Sequence, residues 1–229
     1  MQFSEPQKTL LEELFLAGAV LVGESVRART GLNSPIYFDL REPLQTRPDL
    51  LGTVAREFAL EICGLVGEDG PPQCVVGVPD TATPLAMATA LYAAQNGLRP
   101  EIASGLLRKE ARDYRRLPLA RQMRWVGPKD EGREYNLIDD VVASGITKRA
   151  AAAAMRQEGI RLRRIVVLFD RQQGDGLREE GFDLHGIFTA MAAADFYLES
   201  GLIHPADHAR IKQFLSSRRF DIAPVTLAQ

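Results

Sequence analysis

The sequence predicts an α/β protein with a mostly parallel central sheet flanked by helices. Short runs of β-branched and aromatic residues alternate with longer segments of helical period, the pattern of successive right-handed crossovers. The run CVVGVP (74–79) is short and apolar enough for a buried strand, and RRIVVLFD (163–170) is rich in β-branched residues. At 229 residues and 45% hydrophobic, the chain can bury one substantial core, so a single domain over 1–229 is expected.

In chain order, residues 5–17 predict an amphipathic helix, with Leu10, Leu11, Leu14 and Phe15 at helical spacing. SPIYFDLR (34–41) reads as extended, helped by Pro35 and the β-prone Ile36, Tyr37 and Phe38. A helix over 46–66 can start at Pro48 and end at Gly67. After the strand at 74–79, a helix at 83–95 has Thr83 as its N-cap and Pro84 in its first turn. EIASGLL (101–107) is a strand weakened by Gly105. NLIDD (136–140) is a strand, followed by an alanine-rich helix at 145–158 that stops at Gly159. The strand at 163–170 precedes a last one at 183–188, and helices are expected at 189–200 and 205–217. The segment 108–133 shows neither period and carries Pro118, Gly127, Pro128 and Gly132. From Arg108 to Arg124 it holds seven basic residues against two acidic ones; a connection of this length and charge is functional, or else a disordered, solvated surface loop.

Composition narrows the function. A net charge of -2 gives no overall pull toward nucleic acid or anionic lipid, so neither is expected as a partner. Two cysteines, Cys63 and Cys74, make no metal-ligand pattern and fit a reducing cytosol. MQFSEPQK lacks a signal layout, and LFLAGAVLVG (14–23) is too short to span a bilayer, which predicts a soluble cytoplasmic protein. His204, Asp207 and His208 have helical metal-ligand spacing without an evident third strong ligand, and read as an exposed helix start.

The stretch YNLIDDVVASGITKRAAAAAM (135–155) concentrates the chemistry. Asp139 and Asp140 close a predicted strand at the edge where parallel sheets bind ligands. Carboxylates there suit ribose hydroxyls or a hard cation. ASGIT (143–147) then turns into a helix start, whose amides and dipole favour an anion. Diol acceptors beside a phosphate cradle describe a ribose 5-phosphate site; an ordinary capped strand-to-helix turn is the alternative.

LIDDVVASGIT resembles the 5-phosphoribosyl 1-pyrophosphate (PRPP) motif of type I phosphoribosyltransferases. RTGLNSPIYFDLR (29–41), GVPDTATPLA (77–86), LLRKEARDY (106–114) and LFDRQQG (168–174) resemble orotate phosphoribosyltransferases, particularly the form in eukaryotic UMP synthase. The resemblance implies that fold, with a small N-terminal hood (mainly 1–45) and a mobile loop at about 108–133. It implies transfer of the phosphoribosyl group from PRPP to orotate, with Mg²⁺ carried on PRPP and no direct protein ligand. It also implies a homodimer in which the loop closes over the neighbouring site. Asp139 and Asp140 would hold the ribose hydroxyls. Ala143, Ser144, Gly145, Ile146 and Thr147 would cradle the 5-phosphate, and Val141 would also contact PRPP. Gly77, Val78, Pro79, Asp80, Thr81 and Ala82 would hold pyrophosphate, with Arg29, Arg108 and Lys109. Tyr37, Phe38 and Arg171 would meet orotate. Lys109 and Arg112 would join the two aspartates in catalysis.

The chain departs from the family at several of these positions. Arg112 stands where the family has its catalytic lysine, and Arg29 where it has a PRPP-contacting lysine. Ala143 replaces a hydroxyl residue, Ile146 a small polar one, and Asp80 a residue that is often aromatic. Two alternatives stay open: a transferase for another base, or a non-catalytic PRPP- or nucleotide-binding regulator.

Overall fold

A computed structural model describes residues 3–23, 34–109, 123–127, 129–173 and 176–217. The elements run α1 (Glu5–Leu16), β1 (Val20–Val22), β2 (Ile36–Phe38), α2 (Arg41–Thr46), α3 (Pro48–Val66), β3 (Gln73–Gly77), α4 (Ala82–Gln95), β4 (Ile102–Lys109), β5 (Met123–Val126), β6 (Glu134–Val142), α5 (Ile146–Gln157), β7 (Leu162–Asp170), α6 (Gly176–Glu179), β8 (Leu184–Thr189), α7 (Ala190–Glu199) and α8 (Pro205–Ser216). Six strands form one sheet in the order β5-β4-β3-β6-β7-β8. Every neighbouring pair is parallel except β4 and β5, which are antiparallel. The short strands β1 and β2 pair separately, with Leu21 opposite Tyr37.

Each face of the main sheet is covered, which is why its strands alternate so little in polarity. On one face Leu85, Ala86 and Ala93 of α4 join α1, α3, α7 and α8 in a core that also takes Ile36 and Phe38 of the small sheet. On the other, Ala150, Ala151, Ala154 and Met155 of α5 pack with Leu137, Ile165 and Val167. Thus α4 leads from β3 to β4 across one face, and α5 leads from β6 to β7 across the other. The adjacent strands β3 and β6 therefore send their chains in opposite directions, leaving a crevice beyond their carboxyl ends.

Several predicted boundaries move, for physical reasons. The strand expected at 136–140 extends to Val142, so both aspartates lie inside it. The strand expected at 74–79 stops at Gly77, and α4 begins at Ala82 rather than after a Thr83 cap. The loop supplies what a cap would: Ala82 N–H donates to the Val78 carbonyl at 3.2 Å and Thr83 N–H to that of Asp80 at 3.4 Å. The segment 108–133 is not wholly irregular, since Arg108 and Lys109 pair with Arg124 and Met123 in a hairpin. Gly105, expected to weaken β4, instead makes room for β5. A side chain there would meet the Trp125 ring at 2.3 Å.

Candidate active site

A cavity of about 410 Å³ opens at the crevice between β3 and β6. It brings together residues far apart in sequence: Tyr37 and Phe38, Val78, Pro79 and Thr81, Asp139 to Val141, Ala143 to Thr147, and Arg171. Among the described residues, most of the predicted site positions therefore line one cavity.

The two aspartates are not equivalent. Asp139 is buried, and its Oδ2 forms an ion pair with the equally buried Lys148 of α5. Its Oδ1 accepts the Asp140 N–H at 3.0 Å. Asp140 is half-buried on the cavity wall, and its Oδ1 accepts the Val141 N–H at 2.8 Å. Burial, then the neighbouring Asp139 charge, raises the Asp140 pKa, because both disfavour a second anion.

Beyond the strand the chain turns through Gly145, whose φ of +73° favours glycine. A Cβ there would also lie 2.7 Å from Leu177. The turn is braced from behind. Arg149 donates from Nη1 to the Ser144 carbonyl at 2.6 Å and from Nε to both Glu180 oxygens at 2.8 Å. The start of α5, whose first amides have no acceptor within the helix, is thereby held against residues 143–147 at the cavity.

On the β3 side, Gly77 has no room for a side chain, since a Cβ would lie 2.0 Å from the Ala82 carbonyl oxygen. Val78 N–H donates to the Ile138 carbonyl at 3.0 Å, tying this loop to β6 one residue before the aspartates. Val78, Pro79 and Thr81 line the main cavity. Asp80 instead faces an adjoining concavity of about 390 Å³ with Arg108 and Lys109. There Lys109 reaches Asp80 at 2.7 Å, both side chains being exposed. Gly77 and Ala82 line neither cavity.

On the β2 side, Phe38 is buried and stacks on Phe169 of β7 at 4.2 Å, while Tyr37 is half-buried beside the cavity. Arg171 follows β7, with its N–H on the Val142 carbonyl at 3.1 Å, its Nη2 3.2 Å from Ser34 Oγ, and its guanidinium over Phe214. Burial lowers its pKa to about 10, which leaves it charged at neutral pH. Sequence reasoning passed over three cavity residues: Asp39, Arg41 and Lys148. Asp39 and Arg41 form an ion pair next to Phe38, and their signal was the D-L-R that closes the segment already singled out. Lys148 gave no signal, because only the fold turns it inward. Arg29 and Arg112 lie outside the described residues. His204 and Asp207 do not gather a metal site: His208 bonds Asp195 and Asp207 pairs with Arg210. No group of three or more metal-ligating side chains occurs among the described residues.

A crevice at the strand-order reversal, an open carboxylate and a glycine-turned helix start place the protein in the class of type I phosphoribosyltransferases. The chain is 32% identical over 189 residues to the orotate phosphoribosyltransferase of Thermoplasma acidophilum, covering 82% of this chain and 97% of that protein. It belongs to the orotate phosphoribosyltransferase family. It is also 32% identical over 196 residues to uridine 5'-monophosphate synthase of Bos taurus, covering 84% of this chain but 37% of that longer protein. Among solved structures, UMP synthase of Leishmania donovani superposes with a TM-score of 0.70 at 27% identity, over 91% of this chain and 42% of that one. No family model matches the chain.

Proposed function

We propose that this protein transfers the 5-phosphoribosyl group of PRPP to orotate, giving orotidine 5'-phosphate and pyrophosphate in pyrimidine synthesis. The observation that carries this reading is the shared cavity. Its lining includes Asp140, the start of α5 and Arg171. The helix start suits the 5-phosphate and the acidic wall suits the ribose. Arg171 suits the orotate carboxylate, since a guanidinium fork matches it with two hydrogen bonds.

As the bond to pyrophosphate lengthens, positive charge grows on the ribose ring and negative charge on the leaving group. The Asp140 carboxylate offsets the first. Arg108 and Lys109, on the rim next to Pro79, offset the second, and Arg29 and Arg112 are read as joining them. Mg²⁺ keeps several waters and is bound largely through substrate phosphates, so it is read as arriving with PRPP. Carried on PRPP, it would neutralise charge on the pyrophosphate. The protein is further read as a cytoplasmic homodimer in which the chain after Lys109 closes over the partner's cavity. No helix among the described residues is long and apolar enough to cross a membrane.

Orotate absorbance followed with PRPP and Mg²⁺ tests the reading. Turnover of roughly 1 to 10³ per second is expected. Turnover with another base only would reassign the substrate. PRPP binding by calorimetry without turnover on any base would favour a regulator, as Ala143 and the two arginine substitutions allow.

Asp80 places a negative charge where pyrophosphate would lie and engages Lys109. An exposed pair is worth only about 0.2–1 kcal/mol. Asp80→Asn should therefore lower the KM for PRPP about two- to fivefold with little change in Tm. An unchanged or raised KM would show that Asp80 does not compete with the substrate.

A further inference from the structure

We infer that the two aspartates divide their work: Asp140 alone meets the sugar, while Asp139 and Lys148 form an internal strut that positions it. This deepens the functional reading above and rests on it. Lys148 Nζ takes the Asp139 carboxylate and also donates to the Val141 carbonyl. It therefore grips the strand on both sides of Asp140, through the side chain before it and the main chain after it. Asp139 has one oxygen on Lys148 and the other on the Asp140 N–H, and it is 5% exposed. Each of its oxygens already has a partner inside the protein, and burial leaves little of either for a ligand.

Asp140 has the complementary arrangement. Its Oδ1 accepts the Val141 N–H, and its side chain is more open than that of Asp139 and stands on the cavity wall. Asp139 holds its neighbour's amide and Asp140 holds the next, so each carboxylate fixes the backbone one residue on. The buried ammonium pairs with the inner carboxylate and so offsets part of its repulsion on Asp140. Lys148 is thus a positioning residue, and the sugar hydroxyls are taken by a single carboxylate.

The test measures PRPP affinity by calorimetry and the kcat and KM of transfer for wild type, Lys148→Met, Asp139→Asn/Lys148→Met and Asp140→Asn. Lys148→Met leaves a buried carboxylate unpaired and should weaken PRPP about 30-fold or more. The double variant removes both charges and should recover to within about threefold of wild type in KM, with kcat restored. Asp140→Asn should stay weak.

Should Lys148→Met bind as tightly as wild type, the strut has no role. Should the double variant remain as weak as Asp140→Asn while melting normally, Asp139 touches the ligand directly and the division of labour is wrong. If Lys148→Met does not fold, Asp139→Leu/Lys148→Met, which replaces the pair by apolar groups, decides between the same outcomes. A wild-type protein that binds no PRPP would instead overturn the functional reading itself.

Discussion

Replacing Asp140 by asparagine should lower kcat/KM with PRPP and orotate by about 100- to 1,000-fold while leaving the fold intact. An uncharged amide keeps an oxygen for the Val141 N–H, so the strand end is undisturbed. What is lost is a carboxyl group that can ionise as positive charge develops on the ribose, which an amide cannot do. A hydrogen bond to a charged acceptor is worth about 1.5–3 kcal/mol, and a group aimed at developing charge in a dry site contributes about 2.7–4 kcal/mol.

Stability should move the other way. Burial and the Asp139 charge hold the Asp140 pKa above its unfolded value, so the folded protein binds a proton there more tightly than the unfolded chain. That linkage lowers stability as pH rises from the unfolded value through the folded one, and the deficit persists at neutral pH. Asp140→Asn removes it. Its Tm should exceed that of wild type at pH 7, with the gap closing toward pH 4. Thermal melts across that range alongside kinetics would check both halves. Activity within tenfold of wild type would show that Asp140 is not the sugar-binding acid.

Gly77→Ala should be the most disruptive glycine-to-alanine change among the described residues, costing about 3 kcal/mol. The added carbon would lie 2.0 Å from the Ala82 carbonyl oxygen and 2.7 Å from the Thr83 nitrogen. Both neighbours are main chain, so no rotamer change relieves the overlap. The helix start must move, and Val78, Pro79 and Thr81 move with it out of the cavity wall.

Gly52→Ala is the matched control. Gly52 lies within α3 with nothing within 4 Å of an added Cβ, so alanine there should stabilise by roughly 0.5–1 kcal/mol. Urea denaturation of the two variants separates the effects. Equal midpoints would mean that the β3–α4 turn is looser than these distances imply.

Much of the site was legible because its signals are local. The acidic pair, the glycine and the helix period all fall between Tyr135 and Met155, and a turn from strand to helix needs only neighbours. The hairpin strand β5 was missed because four residues are too few to establish a period. Its Met123 and Trp125 become strand residues only by pairing with β4, and Trp125 only by covering Gly105. The small strand β1 was missed for a similar reason, being three residues paired to β2 across the chain.

Residue types and their order were enough to establish the alternating α/β architecture, the acidic wall and the turn after it, since hydrophobic period and turn chemistry act over a few residues. Which aspartate is buried and which stands more open on the cavity wall was beyond their reach. That depends on Lys148, nine residues after Asp139 and one face of α5 away, swinging beneath the strand when the helix packs on the sheet. A buried charge seeks its partner across space, and only the packed sheet and helix bring the two within bonding distance.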